Sequence, residues 1–201
     1  MSNIVELPAL APETRANVLS YRSLVSLSRA LSILFAFFTG LSVLWVVGAF
    51  VAIFFFADHI VVGSTGADIS FPRVPPVPPG MVRFSAQPLA TRLAGLLDIV
   101  MAMIPVALVC WHLRGLFTLY ARGVVFAREN ALHLKRVGLW LVIYPFAKFA
   151  ANMLFQLFGG TDKAWAQTLF LYSLILGIIV FVIAQVMEFG REIEEEKDSF
   201  V

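Results

Sequence analysis

The sequence predicts an all-α integral membrane protein: a bundle of four transmembrane helices, with a Pro-rich extracytoplasmic loop that has room for a small β-hairpin, and a cytoplasmic helical hairpin extension. Three observations predict it. Hydrophobic residues make up 60% of the 201 and charged residues only 14%, where a soluble domain is roughly half apolar and a quarter charged. A chain this short has too little interior to hide that excess in water. The apolar residues are gathered into four runs, each close to the roughly 20 residues that a helix needs to cross the hydrocarbon core. The basic residues collect beside one set of span ends, as they do on a cytoplasmic face.

The elements follow in order. Residues 1–29 are polar and punctuated by Pro8 and Pro12, with Arg15, Arg22 and Arg29. From Ala30 to Ala57 there is no charge. That run is too long for the apolar core of a cleaved signal peptide, so 30–57 reads as an uncleaved first span. Asp58 and His59 close it and open an outside loop, 58–88. The stretch Phe71-Pro72-Arg73-Val74-Pro75-Pro76-Val77-Pro78-Pro79-Gly80 cannot be helix interior, because proline lacks the donor and clashes with the preceding turn. Beside it, Ile69/Phe71 and Val82/Phe84/Ala86 are apolar at every second position, the period of two short strands. A rigid surface loop is favoured over a PxxP ligand here. The second span is 89–113, interrupted by Arg92, Asp98 and Pro105. Leu113, Leu116, Phe117 and Tyr120 continue its helical spacing past the membrane surface, and Gly123 is a natural stop. A new helix starts near Arg128 and enters the third span, 137–158. Gly159-Gly160-Thr161-Asp162 makes a tight turn, the fourth span covers 164–187, and an acidic tail, 188–201, follows. The whole chain is one membrane domain; no repeat is visible and the loops are too short for a second one.

Orientation comes from counting Lys and Arg. Arg15, Arg22, Arg29, Arg114, Arg122, Arg128, Lys135, Arg136, Arg191 and Lys197 flank one side; Arg73, Arg83, Arg92 and Lys163 flank the other. Basic residues near span ends stay inside. Both termini and the loop 114–136 are therefore expected in the cytoplasm.

Polar residues within the spans are the best functional lead. Asp98 lies in the second; Tyr144, Lys148, Asn152 and Gln156 recur every fourth residue on the third, along one slowly drifting face. Asp98 is roughly 14 Å below Leu89, and Lys148 roughly 15 Å from Phe158 at the same surface, at 1.5 Å per residue. The two opposite charges are thus expected to meet between antiparallel neighbours. An ion or proton relay, or a polar ligand pocket, is the functional reading; helix-packing glue is the plainer and favoured one.

No other constellation carries chemistry. Cys110 reads as a small hydrophobe, and His59, His112 and His133 fall on different segments with no partner at metal-binding spacing. There is no P-loop, GxSxG, HExxH or dinucleotide fingerprint. No catalytic, cofactor-binding or metal residue is assigned, and an enzyme is not expected. The basic loop 114–136 with its aromatics suits anionic lipid heads better than nucleic acid, because its charges sit beside span ends.

The string Gly123-Val124-Val125-Phe126-Ala127-Arg128-Glu129-Asn130, followed by Leu134-Lys135-Arg136-Val137-Gly138, resembles the signature of a bacterial four-span membrane family, domain-of-unknown-function family 2975. The tail from Gly190, with Arg191-Glu192-Ile193-Glu194-Glu195-Glu196, resembles that family's tail pattern. Ala127 departs from the pattern, which favours Ser or Thr there; alanine cannot accept from the free amides of the third helix, and Asn130 is left to compensate. The resemblance implies a multi-pass protein of the bacterial inner membrane. Some relatives are similar to partners of small helix-turn-helix regulators encoded beside them, which implies such a regulator as a cytoplasmic partner; the resemblance carries no activity. A non-enzymatic sensing or regulatory protein is therefore expected, surrounded by membrane lipid and open to self-association, with a small oligomeric transporter or channel subunit as the alternative.

Overall fold

In a lipid interior a backbone amide has no partner but its own chain, so long uncharged runs become helices. The computed structural model describes residues 12–63, 66–124, 127–159 and 167–199. It contains four long helices: α1 (Pro12–Phe55), α2 (Leu89–Ala121), α3 (Arg128–Leu157) and α4 (Gln167–Ser199). Each holds a stretch long and apolar enough to cross a membrane. The expected all-helical membrane fold is the fold observed.

The helices extend beyond their uncharged runs, α2 as far as the stop expected at Gly123. α1 begins at Pro12 rather than near Ala30, since no Pro or Gly interrupts residues 13–29 and proline fits the first helical turn. α2 runs on to Ala121 and is ended by Gly123, whose φ of 79° lies in the left-handed region. α4 carries the acidic tail as helix to Ser199. Phe126 and the Gly160-Thr161-Asp162 part of the expected turn lie outside the described residues.

The loop between α1 and α2 folds as three strands, β1 (Ile60–Gly63), β2 (Gly66–Ile69) and β3 (Met81–Arg83), in the order β2-β1-β3. This corrects the expected hairpin. The segments around Ile69 and Val82 do not pair with each other; both pair antiparallel with β1, as Ile60 with Ile69 and Val62 with Val82. The alternating flanks had pointed to two strands, whereas the central strand, Ile60-Val61-Val62, is a continuous β-branched run buried on both faces, with Val61 1% exposed. Continuous runs of this kind do not show the period of two. Phe84–Ala86 is a 3-10 turn, not a strand, and it sinks Phe84 into a small core with Ile53 and Ile60. The sheet is thereby fixed to the end of α1. The His59 ring stacks on Phe71, 4.9 Å between centroids, and anchors the Pro-rich tip.

The helices pack in chain order: α1 on α2, α2 on α3, α3 on α4. α1 and α4 stand at the two ends of the row. α1 meets α2 through the stacked rings of Phe35 and Phe117, 5.6 Å apart, and the Ser32–Thr118 hydroxyl contact at 2.9 Å. α3 and α4 cross where two glycines face each other. A Cβ on Gly138 would come within 2.9 Å of the Gly177 carbonyl, and one on Gly177 within 3.0 Å of the Gly138 carbonyl. Small residues let helix backbones approach in this way in membranes, and Ser173 adds a hydrogen bond of 2.8 Å to the Leu141 carbonyl.

Candidate functional site

The α2–α3 interface brings together Asp98 and Lys148, two of the five polar residues singled out in the sequence. It reads as a ladder from the sheet end inward. Thr91, 1% exposed, donates its hydroxyl to the Phe158 carbonyl. The Phe155 ring rests on Gly95, where a Cβ would lie 3.3 Å from it. Next, the Lys148 ammonium donates to Oδ2 of Asp98. At the far end the His133 ring lies against Gly115, whose Cβ would fall 2.6 Å from Cε1. Each glycine of α2 is thus a socket for a ring from α3.

Antiparallel packing is what brings Asp98 and Lys148 together, because residues equally far from the shared outer ends lie at equal depth. Both side chains are largely buried. Oδ2 of Asp98 holds the ion pair, while Oδ1 is buried with no hydrogen-bond partner among the described residues. A buried oxygen without a donor is uncommon in folded proteins.

The remaining intramembrane polar residues do not join one network. Asn152 is buried and accepts a hydrogen bond of 2.6 Å from Gln156, one turn along the same helix. Gln156 is exposed, and Tyr144 is half-buried with no hydrogen bond to the others. The single polar face expected along α3 is therefore an inter-helix ion pair and, separately, an intra-helix amide pair. At 3.6 residues per turn, positions four apart are offset by about 40°, so Gln156 stands roughly 80° round from Lys148 and off the interface that holds it.

At the other end of the helices the motif residues have distinct duties. Gly123 supplies the left-handed turn. Asn130, fully buried, donates 2.8 Å to the Val124 carbonyl and ties the α2–α3 connection to the first turn of α3. Ala127 makes no side-chain cap, as its chemistry dictates. Glu129 is exposed in the first turn, where a negative charge suits the helix dipole. Leu134 is half-buried, Gly138 makes the crossing with α4, and Gly190 is exposed with open space around it. Lys135 of α3 pairs with Glu188 of α4.

Two contacts here were not foreseen from the sequence. One is that Lys135–Glu188 pair. The other brings His112 and His133 together, with their Nδ1 atoms 3.3 Å apart; one of the facing nitrogens must carry the proton and the other accept it. A usable signal existed for the histidines: His112 lies eleven residues before Gly123 and His133 ten after it, and a hairpin turning there sets them side by side.

A family profile described as "Protein of unknown function (DUF2975)" matches residues 62–201. The match takes in the end of β1, the strands β2 and β3, and α2, α3 and α4. No curated protein and no solved structure matches the chain.

Proposed function

From the premise that this chain belongs to the DUF2975 family of unknown function, we propose that it is a non-enzymatic sensing or regulatory protein of the cell inner membrane, acting through a soluble cytoplasmic partner. Both termini and the 114–136 segment face the cytoplasm in this reading, on the basic-residue count.

The observation that carries the reading is the Lys135–Glu188 ion pair. It joins the start of α3, and with it the Asn130-braced turn, to the root of the acidic tail. Both side chains are about a quarter or less exposed, and charges this far out of water each need a partner. A partner's own charges can exchange for either member. Turn and tail then form one surface whose halves a partner can draw together or part. The small helix-turn-helix regulator implied by the family resemblance is the partner proposed.

The test is a titration of full-length protein in lipid nanodiscs with a small helix-turn-helix regulator of the kind that the family resemblance implies. Tight binding that disappears when the chain is cut after Phe189, and weakens with Glu188→Lys, is the expected result. Binding indifferent to both changes removes the reading.

The alternative, a small oligomeric transporter or channel subunit, is supported by the meeting of Asp98 and Lys148 within the helices. Flux into proteoliposomes that vanishes in the Asp98→Asn/Lys148→Met double variant is the result that favours it.

A further inference from the structure

A cavity of about 490 Å³ lies between α1, the three-stranded sheet and α2, within the range of roughly 300–1,000 Å³ typical of small-molecule sites. α1 contributes Trp45 and Gly48, the sheet Val62 and Ile69, and the turn after β3 Phe84; Asp98 stands on the α2 wall and is the one ionisable residue of the lining. Leu44 and Trp45 line it too and are 65% and 62% exposed, so the mouth opens along the outer face of α1, within the part of the chain that meets hydrocarbon. The sheet closes the end nearer the membrane surface.

We propose that this cavity binds a neutral long-chain alcohol drawn from the bilayer, its hydroxyl donating to Asp98 and its hydrocarbon body filling the space between α1 and the sheet. Three features select that class. Asp98 has one oxygen committed to Lys148 and a second that is buried without a donor among the described residues, so the carboxylate has acceptor capacity left over. A water is poorly supported there, because it needs two to four polar partners and the rest of the wall is uncharged and mainly aliphatic or aromatic. Finally, the Asp98–Lys148 pair sums to zero. A cationic head would bring an uncompensated charge to mid-membrane depth, and an anionic head would in addition face a carboxylate. A single neutral donor on an apolar body meets all three conditions.

The inference supplies what a sensor of this kind would sense, and to that extent rests on the regulatory reading; its test reads binding alone. The full-length protein in nanodiscs is photolabelled with hexadecanol bearing a diazirine in its chain, and the adducts are mapped by mass spectrometry. Adducts are expected on Trp45, Ile69 and Phe84. Unlabelled hexadecanol should compete about tenfold better than its methyl ether, which lacks the donor, since a hydrogen bond to a charged group contributes about 1.5–3 kcal/mol. Gly48→Phe adds bulk to the cavity wall from α1, where a Cβ meets nothing within 4 Å, and leaves both members of the ion pair in the sequence. That variant should lose the adducts while melting like the parent. In Asp98→Leu/Lys148→Met, which removes the acceptor and leaves no buried charge, the adducts should persist but the preference for alcohol over ether should collapse. Equal competition by ether and alcohol in the parent overturns the proposal, and so do adducts spread over the helices and unaffected by Gly48→Phe. If the alcohol binds as stated while the regulator titration gives nothing, the site stands and the regulatory reading falls; the reverse pair of results separates them the other way.

Discussion

Asp98 and Lys148 each carry a charge whose lone insertion at mid-membrane costs about 2.5–3.5 kcal/mol. In the fold each is the other's counter-ion. Removing one leaves a buried charge unpaired, which costs more than removing both. Asp98→Asn and Lys148→Met should therefore each lower the melting temperature of the detergent-solubilised protein, and the double variant should recover toward the parent. Simple addition of the two losses in a double-mutant cycle would show that the contact contributes nothing. The pair was legible in the sequence because depth on a helix is a linear count from the surface. The same count about the α2–α3 turn would have found His112 and His133, whose ring nitrogens meet at 3.3 Å. The unpartnered Oδ1 of Asp98 was not legible, since it depends on what three separate elements fail to offer.

At the scale of elements, glycine decides how closely helices approach. Gly138 and Gly177 bring the α3 and α4 backbones together. Gly138→Leu or Gly177→Leu forces the two apart and should destabilise the protein by at least the roughly 1–3 kcal/mol typical of overpacking, read as a lower midpoint of thermal unfolding in detergent. Gly190→Leu, at an open position, is the matched control and should leave the midpoint unchanged. An equal drop for the control would mean that helix propensity or detergent, and not the crossing, sets the effect. The helices themselves were plain from uncharged runs, and the ends flanking the α2–α3 connection from Gly123 and Arg128; the stretch of α1 before Ala30 was not, because its arginines break the apolar run without breaking the helix. The sheet was half legible. Its flanking strands show alternation, but strand order is a matter of non-local pairing, and the central Ile60-Val61-Val62 run lacks the period that would announce it.

The whole molecule makes a claim about sidedness. With ten basic residues against four, both termini are expected inside and the sheet outside. A cysteine placed at Ser64 or Ser85 should react with an impermeant thiol reagent in intact cells, and one at Ser2 or Ser199 only after lysis; the inverse pattern reverses the topology. The inverse would also move the Lys135–Glu188 pair and the Asn130-braced turn to the outside, where no cytoplasmic partner reaches them.

The row of helices, each resting on its predecessor, has a consequence for how the protein comes into being. As the ribosome delivers each span to the membrane, the surface it must recognise has already been made: α2 finds α1, α3 finds α2, and Gly177 of α4 finds Gly138 waiting. No helix has to linger while a distant stretch of chain is translated. Contacts between neighbours in sequence close short loops and form quickly, so biogenesis can advance one span at a time, with little unpaired polar surface left for the quality-control proteases that patrol the bilayer.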